Sequence, residues 1–149
     1  MNHLVVLGEV LERDGPRAAL AFLNARTGHR FTSMYRFDGK TLHNLTFYDR
    51  ADSEAEPPDD IPVEVSYCVY VRDAVKPFCV EDSLGDIRVA GHPKRPEIRA
   101  YCGVPLVDEN GMIFGTICHF DFQPTPTAEE DVRLMEGFAL LLKRHELLR

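Results

Sequence analysis

Four cysteines, Cys68, Cys79, Cys102 and Cys118, are the residues of this sequence best equipped for covalent or redox chemistry. Such chemistry needs an exposed thiol of lowered pKa and a second, resolving thiol within reach. Four cysteines allow three connectivities, but no C-x-x-C pair occurs, and in a cytosolic chain free thiols are the expectation. Cys118 is followed directly by His119, a suggestive pair, yet neighbours on a strand point to opposite faces and do not share a site. The histidines are scattered, with none at helical ligand spacing to another and none beside a cysteine in a metal-binding pattern, so no metal centre is expected. A lone histidine such as His92 or His119 could ligate haem, although a structural role is the commoner one, and no cofactor is identified. A second group gathers between positions 66 and 101. Asp82, Asp86, Arg88, His92 and Arg99 are its polar members, and Tyr67, Cys68, Tyr70, Phe78, Ile87 and Tyr101 its apolar and aromatic ones. A local reading has Asp82 and Asp86 capping turns and Arg88 and Arg99 in solvent. Neither a phosphate loop nor a G-x-S-x-G nucleophile elbow is present.

These residues need elements to hold them. Leu4, Val5, Leu7, Val10 and Leu11 recur at helical spacing from His3 to about Arg13. Asp14-Gly15-Pro16 breaks the chain and restarts it as a second helix over Arg17 to Arg26, with Asp14 as N-cap and Gly28 as closing residue. Arg30 to Phe37 alternates, with Phe31, Ser33, Tyr35 and Phe37 on one face, and turns at Asp38-Gly39 into a second strand, Thr41 to Tyr48. Asp49 to Pro62 is acidic and proline-bearing and reads as a mobile, solvated connection. A short helix is expected within Val63 to Val75 with Ser66 as cap, then a short strand over Pro77 to Val80 and a turn of helix around Ser83 to Arg88. Gly91, Pro93 and Pro96 mark a loop. Arg99 to Asp121 is the clearest hairpin, turning at Glu109-Asn110-Gly111, where Asn and Gly tolerate positive φ. Thr127 and Glu130 match a capping box for a last helix whose apolar arc is wide enough to meet a partner as well as its own sheet. The fold class is α+β, a three-layer α/β/α sandwich around one antiparallel sheet.

A chain of 149 residues with 44% apolar and 28% charged content fits one domain with a real core. We take 1–149 as that domain, with N-terminal helices over 3–27, a core over 28–124 and a C-terminal helix over 127–148. The net charge of −7 argues against nucleic acid, since His92, Lys94, Arg95 and Arg99 form the only local basic cluster. No apolar run approaches the ~20 residues of a membrane span, and the first residues carry no basic signal region, so a cytoplasmic location is expected.

The ordered motifs together resemble the GAF domain family. They are Ser66-Tyr67-Cys68 at a helix start, the strand from Pro77 to Asp82, and the run from Tyr101 to Asp121, and the resemblance extends from about Ala18 to Leu142. It implies a sensory domain binding a small molecule between the sheet and segment 66–99, where the aromatic and apolar residues named above would supply mostly apolar walls and the charged ones a few polar contacts. A stand-alone member would act as a homodimer through its terminal helices, or through a separately encoded signalling protein. Two alternatives follow from the same resemblance. One is a thiol-dependent free methionine sulfoxide reductase using Cys68, Cys79 or Cys102, although that branch carries its catalytic cysteine in the loop where this chain has Gly91 to Lys94. The other is a ligand-free interaction module. An enzyme is the less expected outcome.

Overall fold

The computed structural model describes residues 2–143, and a six-stranded antiparallel sheet runs through its centre. In chain order the strands are β1 (Phe31–Asp38), β2 (Thr41–Asp49), β3 (Ile61–Pro62), β4 (Phe78–Val80), β5 (Ala100–Val107) and β6 (Ile113–Asp121). Across the sheet they lie in the order β3-β2-β1-β6-β5-β4, so the two hairpins meet along β1 and β6. Helices α1 (His3–Asp14), α2 (Pro16–Asn24) and α4 (Glu129–Lys143) cover one face. There Leu7, Leu20, Met135 and Phe138 close over Met34, Val104 and Ile117. The other face carries α3 (Cys68–Ala74) and three turns of 3-10 helix, at Val63–Val65, Ser83–Gly85 and Ile87–Val89. A second core of Tyr35, Leu42, Val63, Tyr67, Cys68, Val71, Tyr101 and Cys118 lies beneath them. Burial of two separate apolar faces on one sheet is what makes the architecture three-layered.

Several helix ends differ from expectation for identifiable reasons. Asp14 ends α1 instead of capping α2, because Gly15 between the helices takes φ 91°, a backbone that suits glycine. Helix α2 stops at Asn24 well before Gly28. The Asn24 amide donates to the His29 carbonyl at 3.0 Å and to Thr32 Oγ1 at 2.9 Å, and its Oδ1 accepts from Arg50 Nε at 2.8 Å. That residue therefore turns the chain into β1. The Thr127–Glu130 capping box does not form. Thr127 Oγ1 is buried without a partner, its N–H donates to the Glu81 carboxylate at 2.8 Å, and α4 begins at Glu129. Ser66 does serve α3, its Oγ accepting from Cys68 N–H at 3.1 Å. The expected end of the last helix, 144–148, lies outside the described residues. The acidic stretch 49–62 is mostly exposed, but it is anchored at both ends. Asp49 clamps Arg30 at 2.8 and 3.0 Å, and Ile61 pairs with Leu42 as strand β3.

Candidate functional site

Residues paired across neighbouring antiparallel strands share a face, so the register sorts the cysteines. One transverse row reads Thr32, His119, Cys102, Cys79, and it faces the helices. The next reads Ser33, Cys118, Gly103, Phe78, and it faces α3. Cys79 and Cys102, directly opposed on β4 and β5, form a disulfide with Cα atoms 4.0 Å apart. The expectation that all four thiols are free is corrected here, because cross-strand pairing brings these two sulfurs together. Cys68 and Cys118 remain free, both buried on the opposite face. The sheet thus separates Cys68 from Cys79 and Cys102, and the three do not form one thiol group. Cys118 and His119 also part to opposite faces, as alternation requires.

Cys68 and Cys118 sit in a partly open cavity of about 420 Å³. The sheet contributes Phe31, Tyr35, Phe47, Cys118, Phe120 and Tyr101, with Phe122 just beyond β6. Pro58, Asp59 and Ile61 close it from the acidic stretch, and Val65, Ser66, Tyr67 and Cys68 from the start of α3. Lys94, Glu97 and Ile98 complete the rim, with Lys94 Nζ and Glu97 Oε2 paired at 3.1 Å. Phe31 stacks on Phe120 with centroids 4.8 Å apart and meets Phe122 edge-on at 5.1 Å. The walls are mostly apolar and aromatic, with the charged side chains at the rim.

Oxygen donors surround one of the thiols. Tyr101 Oη donates to Cys68 Sγ at 3.2 Å, and Thr116 Oγ1 lies 3.2 Å from the same sulfur. The Tyr101 ring folds back along its own strand over Gly103, where any Cβ would collide with its hydroxyl. Burial pushes the Tyr101 phenol well above its ordinary pKa, so it stays protonated and able to donate. Burial raises both thiols as well. At Cys68, hydrogen bonds from Cys118, Ser66, Thr116 and Tyr101 outweigh it, leaving Cys68 the more acidic of the pair and Cys118 pushed up.

Of the residues expected to bind a ligand, Tyr67, Cys68 and Tyr101 line this cavity. The others do not; Ile87 is exposed, and the rest each have another occupation. Tyr70 packs on Phe78 at 4.7 Å, and Arg88 lies over the Phe78 ring at 4.7 Å. Asp82 caps the turn at Leu84 and pairs with Arg99 at 2.8 Å, which holds its carboxyl below the usual range. Asp86 caps the next turn and pairs with Arg88 at 2.6 Å. His92 uses both ring nitrogens, Nε2 toward the Ser66 carbonyl at 3.2 Å and Nδ1 accepting from Lys94 N–H at 3.0 Å. It positions the loop beside the cavity rather than offering a free ligand to haem. His119 is likewise engaged, its Nδ1 2.7 Å from Thr32 Oγ1. Thr32 Oγ1 also accepts from the Asn24 amide, so the three side chains form one buried polar network. Among the described residues no group of three or more His, Cys, Asp or Glu side chains is arranged to hold a metal ion.

The sequence model of the GAF domain family matches residues 9–144. The chain belongs to the GAF domain family. It is a sensory and regulatory fold, and the solved structures it resembles agree on the architecture. The GAF domain of an Acinetobacter phosphoenolpyruvate-protein phosphotransferase superposes with a TM-score of 0.75 at 13% identity, over 95% of this chain and 89% of that one. The free methionine-R-sulfoxide reductase of Neisseria meningitidis, solved with its substrate, gives 0.74 at 17% identity, over 95% and 84%. At these identities the likeness shows the fold alone. In sequence the chain is 37% identical over 93 residues to a cyclic di-GMP phosphodiesterase of Pseudomonas aeruginosa, a match covering 59% of this chain and only 16% of that enzyme.

Within this GAF domain the cavity extends beyond segment 66–99 toward β1, β6 and the acidic stretch. The cavity residues outside the sequence-based set are Phe31, Tyr35, Phe47, Cys118, Phe120 and Phe122 from the sheet side, Pro58, Asp59 and Ile61 from the acidic stretch, and Val65, Ser66, Lys94, Glu97 and Ile98. A usable signal was present. Phe31 and Tyr35 share one face of β1, and Cys118 and Phe120 share one face of β6, an aromatic surface broader than α3 alone covers. The contribution of Pro58 and Asp59 carries no such periodicity. It follows from the path of the chain back to β3.

Proposed function

We propose that this GAF domain is a cytoplasmic sensory module that binds a small, largely apolar or aromatic molecule in the cavity between the sheet and α3. The observation that carries the reading is the cavity itself. About 420 Å³ of space remains inside a ring of aromatic side chains, with Ser66, Asp59 and the Lys94–Glu97 pair at its mouth to orient a polar end. The match to one part of a much longer phosphodiesterase supports a regulatory role, exercised on a signalling enzyme carried on the same or another chain. A homodimer through the terminal helices fits the same picture. Val5 on α1 and Leu140 on α4 are 57% and 61% exposed, large apolar side chains on the outer surface of adjoining helices.

A thermal-shift screen of cytoplasmic metabolites tests the ligand reading. The wild type is expected to gain stability with a subset of flat apolar or aromatic compounds, since a ligand that binds only the folded state raises its melting temperature. Ile61→Trp, which fills the cavity mouth from a strand edge, is expected to abolish the gain while folding normally. Equal shifts in both proteins would place binding elsewhere.

A further inference from the structure

We propose that Cys68 and Cys118 form a hydroperoxide-reactive dithiol at the floor of the cavity, with Cys68 the attacking sulfur and Cys118 the resolving one. Three independent features converge there. Both residues line the cavity, buried at its floor, so a solute that fills it lies next to them. The sheet keeps them apart from the Cys79–Cys102 disulfide on its other face, which leaves them to react with each other. Hydroxyl groups of Tyr101 and Thr116 lie at 3.2 Å from Cys68 Sγ, whereas Cys118 has Cys68 and the shared Tyr101 as its side-chain hydrogen-bond neighbours. Donors around one sulfur of two define which loses its proton, and the thiolate is the nucleophile. The assignment agrees with the greater acidity of Cys68.

The chemistry balances without a metal or cofactor. The Cys68 thiolate attacks the terminal oxygen of an organic hydroperoxide. The S–O bond forms, the O–O bond breaks, and the alkoxide leaves as alcohol with the proton the thiol gave up. Cys118 then displaces hydroxide from the Cys68 sulfenic acid, forming a disulfide and water. The hydroperoxide takes two electrons and the dithiol supplies them, and an external thiol returns the pair to its reduced state by exchange. The aromatic walls favour an organic hydroperoxide over hydrogen peroxide. This step uses the cavity as an access route and is independent of whether a sensory ligand also binds there.

The test is peptide mapping of the full chain after exposure to equimolar cumene hydroperoxide, with remaining thiols alkylated after denaturation. A Cys68–Cys118 cross-link is expected, with Cys79–Cys102 unchanged. Cys118→Ser should stop at a dimedone-reactive sulfenic acid on Cys68. Tyr101→Phe should slow oxidation at least tenfold and move the midpoint of its pH profile upward. Hydrogen peroxide should react at least tenfold more slowly than the organic oxidant. Wild-type protein in which both thiols stay alkylatable, or in which Cys68 oxidises no faster folded than in guanidinium, would overturn the proposal without reference to any variant.

Discussion

At the scale of single residues, two devices hold the two faces of the sheet. On the cavity face, Tyr101 reaches Cys68 only because Gly103 leaves room for its ring. Gly103→Ala is therefore expected to displace the tyrosine and destabilise the fold by about 1–3 kcal/mol, the usual cost of overpacking, in urea denaturation. On the helix face, His29 and His119 stack with centroids 5.6 Å apart beneath α2. Burial lowers His29 to about 4, Asp121 opposing and Arg50 adding to the shift, and lowers His119 to about 3, with His29 and Arg50 adding to the effect. Both rings are neutral in the folded state while the unfolded chain takes up protons below about 6.5. Their stabilising contribution is thus complete above that pH and declines as the pH falls toward 4 and then 3, on the order of 3 kcal/mol each. Urea midpoints measured from pH 7 to pH 4 should drop steeply, and His119→Gln should flatten the slope. An unchanged midpoint across that range would contradict the neutral buried pair.

At the scale of elements, two glycines lie where α1 and α4 meet, and only one of them is needed for the close approach. A Cβ at Gly8 would meet Leu141 at 3.6 Å, ordinary van der Waals distance, whereas one at Gly137 would meet Leu4 at 3.0 Å. Gly8→Ala should stabilise the protein by about 0.5–1 kcal/mol through helix propensity alone. Gly137→Ala should gain less, because Leu4 must shift to admit it. Thermal melts of the two variants side by side measure the difference. The elements themselves were largely legible in the sequence. Alternation in β1, the Asn-Gly turn between β5 and β6 and the apolar periods of α1 and α4 each rest on local chemistry. The helix caps were less so, because Glu81 supplies the acceptor at Thr127 from across the fold, and no local pattern encodes that contact. The disulfide escaped for the same reason, since Cys79 and Cys102 face each other only once β4 is laid beside β5.

At the scale of the molecule, the sheet acts as a partition. Its helix face is a closed core with a disulfide and a buried polar network, and its other face is an aromatic cavity with two free thiols. The charged residues favoured from the sequence hold the loops around the cavity through Arg99–Asp82 and Arg88–Asp86. The pairing of charge with charge in those loops is a tertiary outcome, invisible until the chain folds. The same scale governs assembly. Sedimentation of the full chain at micromolar concentration should show a dimer, and Leu140→Glu on the outer surface of α4 should convert it to monomer without lowering its melting temperature appreciably. Native mass spectrometry of the protein purified from its own host puts the cavity reading to the sharpest trial. We expect a bound species of a few hundred daltons in the wild type and its loss in Ile61→Trp; a wild type that carries no ligand and binds none from a host extract would contradict it.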